Sequence, residues 1–213
     1  EGRATVLDPA VSVPSGLTHH RFVATPLTTT LVDVDYAAYM ASPDVIREHS
    51  DGRWTVEGFT AADDAAQIAQ HEVDHHARRS FTYLLLDNAK SQSLGCLYLN
   101  PLHAYLDRVG ADAATIDSWP LNAAMVTFWI RQDLQDSNLP RAVVVAVDEW
   151  LMRCWPIRAH VYRILPGERT SRAALEFAGL RRVSLGLARE DRPYLWYGRA
   201  ADDAGGNGFA ASR

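Results

Sequence analysis

Residues 168–183, ERTSRAALEFAGLRRV, decide how the C-terminal part of the chain folds. The segment RTSRAALEFAG predicts a short helix, and Gly179 is suited to end it because glycine readily adopts the left-handed conformation that follows many helices. The next two segments, LRRVSLGLA and PYLWYGRA, predict a pair of strands that closes the fold.

A strand, a long helix and a further strand precede this stretch. Residues AAMVTFWIR predict the first strand and IRAHVYRIL the second. Between them, PRAVVVAVDEWLMRCW has apolar residues at helical spacing and begins with Pro140, which a helix tolerates in its first turn. A longer connection, residues 101–122, leads into this unit.

The N-terminal half predicts the same mixture of elements. FTAADDAAQIAQHEVDHHARR predicts a helix that Thr60 caps, with Asp63 and Asp64 in the first turn, where the helix dipole favours acidic side chains. FTYLLLD and LGCLYLNP then predict a hairpin. Before the helix, RFVATPL predicts a strand and VDVDYAAYMASPDVIREH two short helical pieces. Residues 1–19 are expected to form a loose arm and residues 200–213 a disordered tail.

Composition excludes several classes of protein. With 213 residues, of which 47% are hydrophobic, the chain is long enough for one well-packed domain. Its net charge of −5 and the lack of a basic cluster argue against binding to nucleic acid. No apolar run is long enough to span a membrane, and no secretory signal is evident. Two cysteines, Cys96 and Cys154, are expected to be buried, reduced thiols of a cytoplasmic protein.

The segment HEVDHH, residues 71–76, matches the His-Glu-x-x-His pattern of zinc peptidases. A catalytic zinc needs a third protein ligand, and Phe81 stands where the extended pattern has its third histidine. In the other common form a glutamate follows on a neighbouring helix, but the next glutamate is Glu149. We therefore expect no metal, and we interpret the helix surface as solvated.

The element order and two local segments resemble the GNAT acyltransferase superfamily over about residues 20–199. Members commonly show Asn-x-x-Ser-x-x-x-x-Glu-x-x-Gly-Phe at the position of ERTSRAALEFAGL; Ser171, Glu176 and Gly179 keep that spacing. Glu168 replaces the Asn and Leu180 the Phe. The helix–strand–turn–strand unit from residue 71 to residue 101 is the second match. The resemblance implies an α+β fold: one GNAT-like domain with a central mixed, mostly antiparallel sheet of about seven strands flanked by helices.

The resemblance also implies an acyl-coenzyme A donor, most simply acetyl-CoA. In such proteins the pantetheine pairs with a splayed central strand, here TFWIR, which ends in Trp129, Ile130 and Arg131. A glycine-rich loop then holds the pyrophosphate at a helix start. Here the loop is QDSNLP: Asn138 and Pro140 replace glycines, and Pro140 has no N–H to donate. The remaining expected cofactor-binding residues are Gln135, Asn138, Leu139, Arg141 and Ser171.

The catalytic groups are less well defined. The tyrosine that many members place on the short helix is replaced by Leu175. His160 and Tyr162 share one face of a strand beside the expected splay, and we predict them, together with Glu72, as candidate proton-transfer groups. His103 and Asp117, in the 101–122 connection, are further candidates for the wall of the acceptor site.

Two functions therefore remain open. The chain is expected to transfer an acetyl group to an amine of a small molecule, as a monomer or homodimer with no nucleic-acid or membrane partner. The alternative is a GNAT-fold protein that has lost ordinary acetyl transfer and binds a ligand or catalyses other chemistry in the same cleft.

Overall fold

An eight-stranded mixed sheet forms the centre of the structure, a computed structural model that describes residues 11–199. Its strands are β1 (Leu17–His19), β2 (Phe22–Pro26), β3 (Phe81–Leu86), β4 (Ser93–Pro101), β5 (Ala123–Ile130), β6 (Ala159–Ile164), β7 (Arg181–Val183) and β8 (Leu195–Gly198). The helices are α1 (Val32–Met40), α2 (Pro43–His49), α3 (Ala61–His76), α4 (Leu102–Arg108), α5 (Ala113–Asp117), α6 (Leu139–Cys154) and α7 (Arg169–Phe177).

The strand order is β1-β2-β3-β4-β5-β6-β8-β7, and every neighbouring pair is antiparallel except β5 and β6. The predicted α+β class and mixed, mostly antiparallel sheet are confirmed. The strand count exceeds the expected number because residues 17–19, expected to belong to a loose arm, pair with β2 instead. The rest of that arm up to residue 10, and the expected tail 200–213, lie outside the described residues.

The two central parallel strands separate along their length. β5 and β6 pair only from Ala123–Ala159 to Val126–Tyr162. Beyond this point β5 continues to Ile130 while β6 turns to β8, with which its last residues pair. This splay opens at the C-terminal ends of both strands, so the β6-facing backbone edge of β5 after Val126 pairs with no neighbouring strand among the described elements.

Helices cover both faces of the sheet. Successive residues of a strand point to opposite faces, so each strand contributes apolar side chains to the core on both sides. Phe128 and Ile130 pack with α6 and α7 in the largest core cluster. Trp129 packs on the opposite face with Ile46 of α2 and Ile68 of α3. The predicted connection 101–122 contains α4 and α5, and α4 covers the same side of β5 and β6 as part of a third cluster.

The remaining differences from the predictions are local. The strand expected from LRRVSLGLA extends only over Arg181–Val183. Both cysteines are free, as expected, but Cys154 is exposed at the end of α6 and only Cys96 is buried. Among residues 11–199, no helix combines the length and apolar character that crossing a bilayer requires.

The start of α3 confirms the capping prediction in detail. The Thr60 hydroxyl accepts from the Asp63 N–H at 3.2 Å, and the Asp63 carboxylate accepts from the Thr60 N–H at 2.9 Å. This reciprocal capping box satisfies two of the N–H groups that a helix start leaves unpaired.

We predict that Thr60→Ala lowers the free energy of unfolding by about 1 kcal/mol, the usual cost of losing such a cap. For a chain of this size the melting temperature should fall by about 2–4 °C. Thr60→Ser keeps the hydroxyl and should unfold like the parent in the same thermal scan. An equal loss in both variants would mean that the threonine methyl group, not the cap, carries the effect.

Candidate active site

A cavity of about 250 Å³ lies beside the splay, on the face of the sheet covered by α1, α2 and α3. Tyr98 and Trp129 form part of its floor from β4 and β5, and Arg163 adds the side of β6. Acidic and basic side chains occur in the same enclosed space. Its titratable carboxyl, imidazole and guanidinium residues are Asp35, His49, Arg53, Asp64, His71, Arg163 and Glu168.

His49 and Glu168 form a buried pair in this cavity. His49 Nδ1 lies 2.7 Å from Glu168 Oε1, and both side chains are 7% exposed. The second oxygen of Glu168 accepts from the Leu165 N–H at 2.6 Å, so the carboxylate is fixed from two directions. A carboxylate accepts hydrogen bonds, so the Nδ1–H of His49 donates to Glu168, and in the neutral tautomer with this bond the lone pair lies on Nε2. Among residues 11–199, Nε2 has no hydrogen-bond partner. This arrangement is that of an oriented general base.

The His49–Glu168 pair also holds α2 across the splay. At its end, His49 binds Glu168, the residue before α7. At its start, the Asp44 N–H donates to Gln132 Oε1 at 2.9 Å, and Gln132 Nε2 donates back to Asp44 Oδ2 at 3.0 Å. Gln132 follows β5 directly after Arg131. Helix α2 is therefore connected to both sides of the splay.

Two carboxyl groups at the α1–α3 side of the cavity lack partners. Asp35 is 7% exposed and Asp64 is 4% exposed. Asp35 Oδ1 and Asp64 Oδ2 are buried without a hydrogen bond, and neither side chain forms an ion pair within the described residues. Burial raises the pKa of Asp35 to about 7, with a further contribution from the Asp64 charge. Burial likewise raises the pKa of Asp64 to about 6.

Arg163 is a half-buried cation that lines the cavity. Its guanidinium carbon lies 4.2 Å from the centre of the Tyr194 ring and 5.0 Å from that of Tyr105. Its Nε is buried without a hydrogen-bond partner among the described residues. Burial lowers its pKa, and the positive charges of Arg108 and Arg53 act in the same direction, whereas Tyr194 and Glu168 oppose them.

A second depression lies where α6 and α7 begin. It is lined by Gln135, Asp136, Ser137, Asn138, Pro140, Arg141, Arg169, Thr170 and Ala173. Two helix N-termini and two arginines meet here, and this combination favours a bound anion such as a phosphate. Arg141 also lies over the Phe177 ring, at 5.0 Å from its centre. Arg169 was not recognised in the sequence because it lies outside the loop that replaces the glycine-rich motif.

Of the eight expected cofactor-binding residues, four line the cavity or the second depression and four do not. Gln135, Asn138 and Arg141 line the second depression, and Trp129 lines the cavity. The others have different surroundings. Arg131 turns away from the depression, because it forms an ion pair with Asp133 at 2.6 Å and donates to the Ser93 carbonyl at 3.1 Å.

The other three members of that set lie close to the depression without lining it. Ile130 and Leu139 are buried in the core, and the Ile130 carbonyl accepts from Gln135 Nε2 at 2.6 Å. Ser171 lies half-buried in the first turn of α7.

His160 and Tyr162 lie on the α6 face of the sheet, not in the cavity. His160 Nε2 is 2.6 Å from Asp148 Oδ1, and Arg199 pairs with the same carboxylate. Burial would raise the pKa of Asp148, but the bonds and charges of His160 and Arg199 lower it overall. Tyr162 stands at the apex of the splay, and its buried hydroxyl has no hydrogen-bond partner in residues 11–199. The two rings touch edge to face, 5.6 Å apart.

The other sequence candidates, Glu72, His103 and Asp117, lie away from the cavity. Glu72 accepts from the N–H and the hydroxyl of Thr29, at 3.1 and 3.2 Å, and joins α3 to the chain before α1. His103 Nε2 lies 3.0 Å from the Trp119 carbonyl. Asp117 ends α5. None of the three lines the cavity.

The histidines of HEVDHH are not fully solvated, contrary to our interpretation. His71 lines the cavity and lies 3.1 Å from the Thr82 hydroxyl, and burial lowers its pKa. His75 packs against the rings of Phe81 and Tyr83. Both are covered because this side of α3 packs on β3. No cluster of three or more His, Cys, Asp or Glu side chains able to hold a metal occurs in the described part of the chain.

Solved structures with the same fold are GNAT acetyltransferases. A ribosomal-protein-S5-alanine acetyltransferase from Vibrio fischeri has a TM-score of 0.66 and 11% identity, over 89% of this chain and 98% of that chain. RimJ from Mycobacterium smegmatis, in complex with CoA-disulfide, has a TM-score of 0.63 and 12% identity, over 85% and 83%. The microcin C7 self-immunity acetyltransferase MccE, in complex with acetyl-CoA and AMP, gives 0.59 and 12%, over 88% and 97%.

No protein-family model and no curated protein matches the sequence. The similarity is therefore one of architecture, and at this level it confirms the resemblance seen in the sequence. The chain has the GNAT fold.

We predict that Asp35→Asn stabilises the protein above pH 7. The carboxyl has a pKa of about 7 when folded and about 3.9 when unfolded, so the folded state binds more protons between these values. Stability therefore falls as pH rises from about 4 to 7, and the amide removes that loss. The titratable groups that interact electrostatically with Asp35 are Asp64, Cys96, Tyr39 and Tyr98.

The melting temperature of Asp35→Asn should exceed that of the parent by several degrees at pH 8 and by little at pH 4, since about 1 kcal/mol corresponds to about 2–4 °C. Asp33→Asn is the matched control, because Asp33 is exposed on the same helix. A lower melting temperature of Asp35→Asn at pH 8 would show that the carboxylate has a partner that stabilises it.

Proposed function

We propose that the protein is an acyl-CoA-dependent N-acyltransferase that transfers the acetyl group of acetyl-CoA to an amine. The observation that carries this proposal is the oriented His49–Glu168 pair in a cavity that opens beside the splay of β5 and β6. The unpaired backbone of β5 supplies a site for an extended amide-containing chain, and the imidazole supplies a base beside it. The GNAT fold of CoA-bound structures supports the same donor.

The second depression would hold the diphosphate of the cofactor. Pro140 contributes no N–H, and the Leu139 N–H already donates to the Ser137 hydroxyl at 3.1 Å. Arg141 and Arg169, one at the start of each helix, supply the positive charge in place of a glycine-rich loop. The pantetheine would extend from there along β5 towards the cavity.

The chemistry needs one proton acceptor and one donor. The amine nitrogen attacks the thioester carbonyl carbon, the C–S bond breaks, and an amide and the CoA thiolate are formed. His49 Nε2 takes the proton that the amine loses. Tyr162, at the apex of the splay, has an unpartnered hydroxyl that can protonate the thiolate. Burial raises its pKa well above the usual value, so the phenol stays protonated until a strong base reaches it.

The acceptor is a small molecule in this proposal, as expected from the sequence. An enclosed cavity of about 250 Å³ with charged groups at two places suits such a ligand. A second acceptor class, a protein N-terminus, is suggested by structural neighbours such as the ribosomal L7/L12 alpha-N-protein acetyltransferase RimL. The remaining alternative is a GNAT-fold protein without transfer activity; the replaced phosphate loop favours it.

We predict that Arg141→Gln and Arg169→Gln each weaken CoA binding by roughly 10- to 100-fold, since a bond to a charged group contributes about 1.5–3 kcal/mol. Titration calorimetry with CoA measures the loss. Pantetheine, which lacks the diphosphate, should bind all variants equally. Arg158→Gln, at an exposed arginine outside the depression, is the control. Equal losses for CoA and pantetheine would place the diphosphate elsewhere.

We predict that His49→Gln lowers kcat for acetyl transfer by about 100- to 10,000-fold, the usual contribution of a general base. Tyr162→Phe should lower it by at least the smaller factor. Release of thiol from acetyl-CoA, measured across a panel of amines, reports turnover, and the Kd for CoA should stay within about twofold. The proposed base is wrong if His49→Gln turns over a confirmed acceptor like the parent.

A further inference from the structure

The unpartnered carboxyl groups of Asp35 and Asp64 are the strongest indication of what the cavity binds. Buried polar groups are nearly always hydrogen-bonded, and an unpaired buried carboxyl group lowers stability. These two lie more than nine-tenths buried, line the same cavity and share no hydrogen bond with each other or with another described residue. Tyr39 and Tyr98 line the cavity with them. Carboxylates among aromatic rings form a favourable environment for an organic cation.

The β6 side of the cavity has the opposite character. Arg163 has tyrosine rings on its guanidinium and no carboxylate within ion-pair distance among the described residues. The acidic side chain that acts on its pKa is Glu168, which is held by His49 and the Leu165 N–H. Arg53 and Arg108 add positive charge around it. A half-buried guanidinium with a buried, unpartnered Nε is suited to an anionic ligand group.

We propose that the acceptor is a dipolar small molecule whose cationic group binds between Asp35 and Asp64 and whose anionic group binds Arg163. An amino acid with a basic side chain has this chemistry, and its α-amine, next to the carboxylate, would lie near His49. The inference rests on the proposed acyl transfer for the fate of that amine. The binding of the two charged ends does not depend on it.

The dimensions of the sheet agree with such a ligand. Asp35 acts on the pKa of Cys96 and Tyr98 of β4, and Arg163 belongs to β6. Two strand spacings of about 4.8 Å separate β4 from β6 where the strands pair, and the splay widens this distance at Arg163, so the two ends are more than about 10 Å apart. A lysine spans roughly 7–8 Å from its carboxylate carbon to its side-chain nitrogen, and hydrogen bonds of about 2.8 Å at both ends complete the distance.

The donor set favours an organic cation over a metal ion. Hard cations such as Ca²⁺ and Mg²⁺ take six or more oxygen ligands, several of them from carboxylates or water. Aromatic and amide side chains line the cavity together with Asp35 and Asp64. The described residues contain no group of three or more metal-binding side chains.

Three probes separate the two charged ends. L-Lysine has both groups, 1,5-diaminopentane lacks the carboxylate, and L-norleucine lacks the side-chain cation. Binding is measured by titration calorimetry on the full chain saturated with CoA, so that no turnover occurs. We expect lysine to bind at least about tenfold more tightly than either analogue. Asp64→Asn should remove its advantage over norleucine, and Arg163→Gln its advantage over diaminopentane.

Matched controls and a separate donor assay distinguish the possible failures. Asp33→Asn and Arg181→Gln change exposed residues and should bind lysine like the parent. Arg163→Lys retains the charge if Arg163→Gln fails to fold, and it should keep part of the preference. If CoA binds but all three probes bind equally or not at all, the inference is overturned and the acyltransferase proposal stands. If lysine binds the CoA-free chain with this selectivity but acetyl-CoA neither binds nor reacts, only the proposed function fails.

Discussion

After Val126 and Tyr162 the two central strands no longer pair, and the following backbone of β5 keeps hydrogen-bonding groups that β6 does not satisfy. Such groups are costly inside a protein unless water, a side chain or a ligand satisfies them. The surrounding structure is organised around this separation. β6 turns to β8, the starts of α6 and α7 form a depression at the open end, and α2 connects both sides through Gln132 and Glu168. The separation of β5 and β6 therefore shapes both the sheet and the candidate site.

The cavity combines charges that a purely structural core would exclude. Unpaired carboxyl groups on α1 and α3 reduce stability, and so does a half-buried guanidinium on β6. The large apolar clusters on both faces of the sheet offset this loss. Charged groups held ready in a site with little water interact more strongly with a ligand than they would in bulk solvent. The unpaired charges therefore lower the stability of the folded protein, and the same charges give the cavity its selectivity for a ligand of complementary charge.

Local patterns predicted the fold well, because caps and apolar periodicity act over a few residues. The capping box at Thr60 and the α6 helix follow directly from the sequence. The site depends on distant contacts: His49 and Glu168 are 119 residues apart, and the sequence aligned Glu168 only with a motif asparagine. Asp35, an acid within an apolar helical stretch, was a local signal of a buried charge, as was Asp148 in the apolar run of α6. Asp64 resembled a residue placed to favour the helix dipole, although it is 4% exposed.

The position of α2 has a consequence for association between chains. An unpaired strand edge can recruit the strand of another molecule, which leads to aggregation. Here the exposed edge lies in the interior of the sheet, and a helix anchored on both sides, through Asp44 and His49, crosses its mouth. A polypeptide strand carries side chains on both faces, so it needs more room under the helix than a thin, unbranched chain does. The same geometry that favours a narrow ligand therefore disfavours the pairing of this interior edge with a strand of another chain.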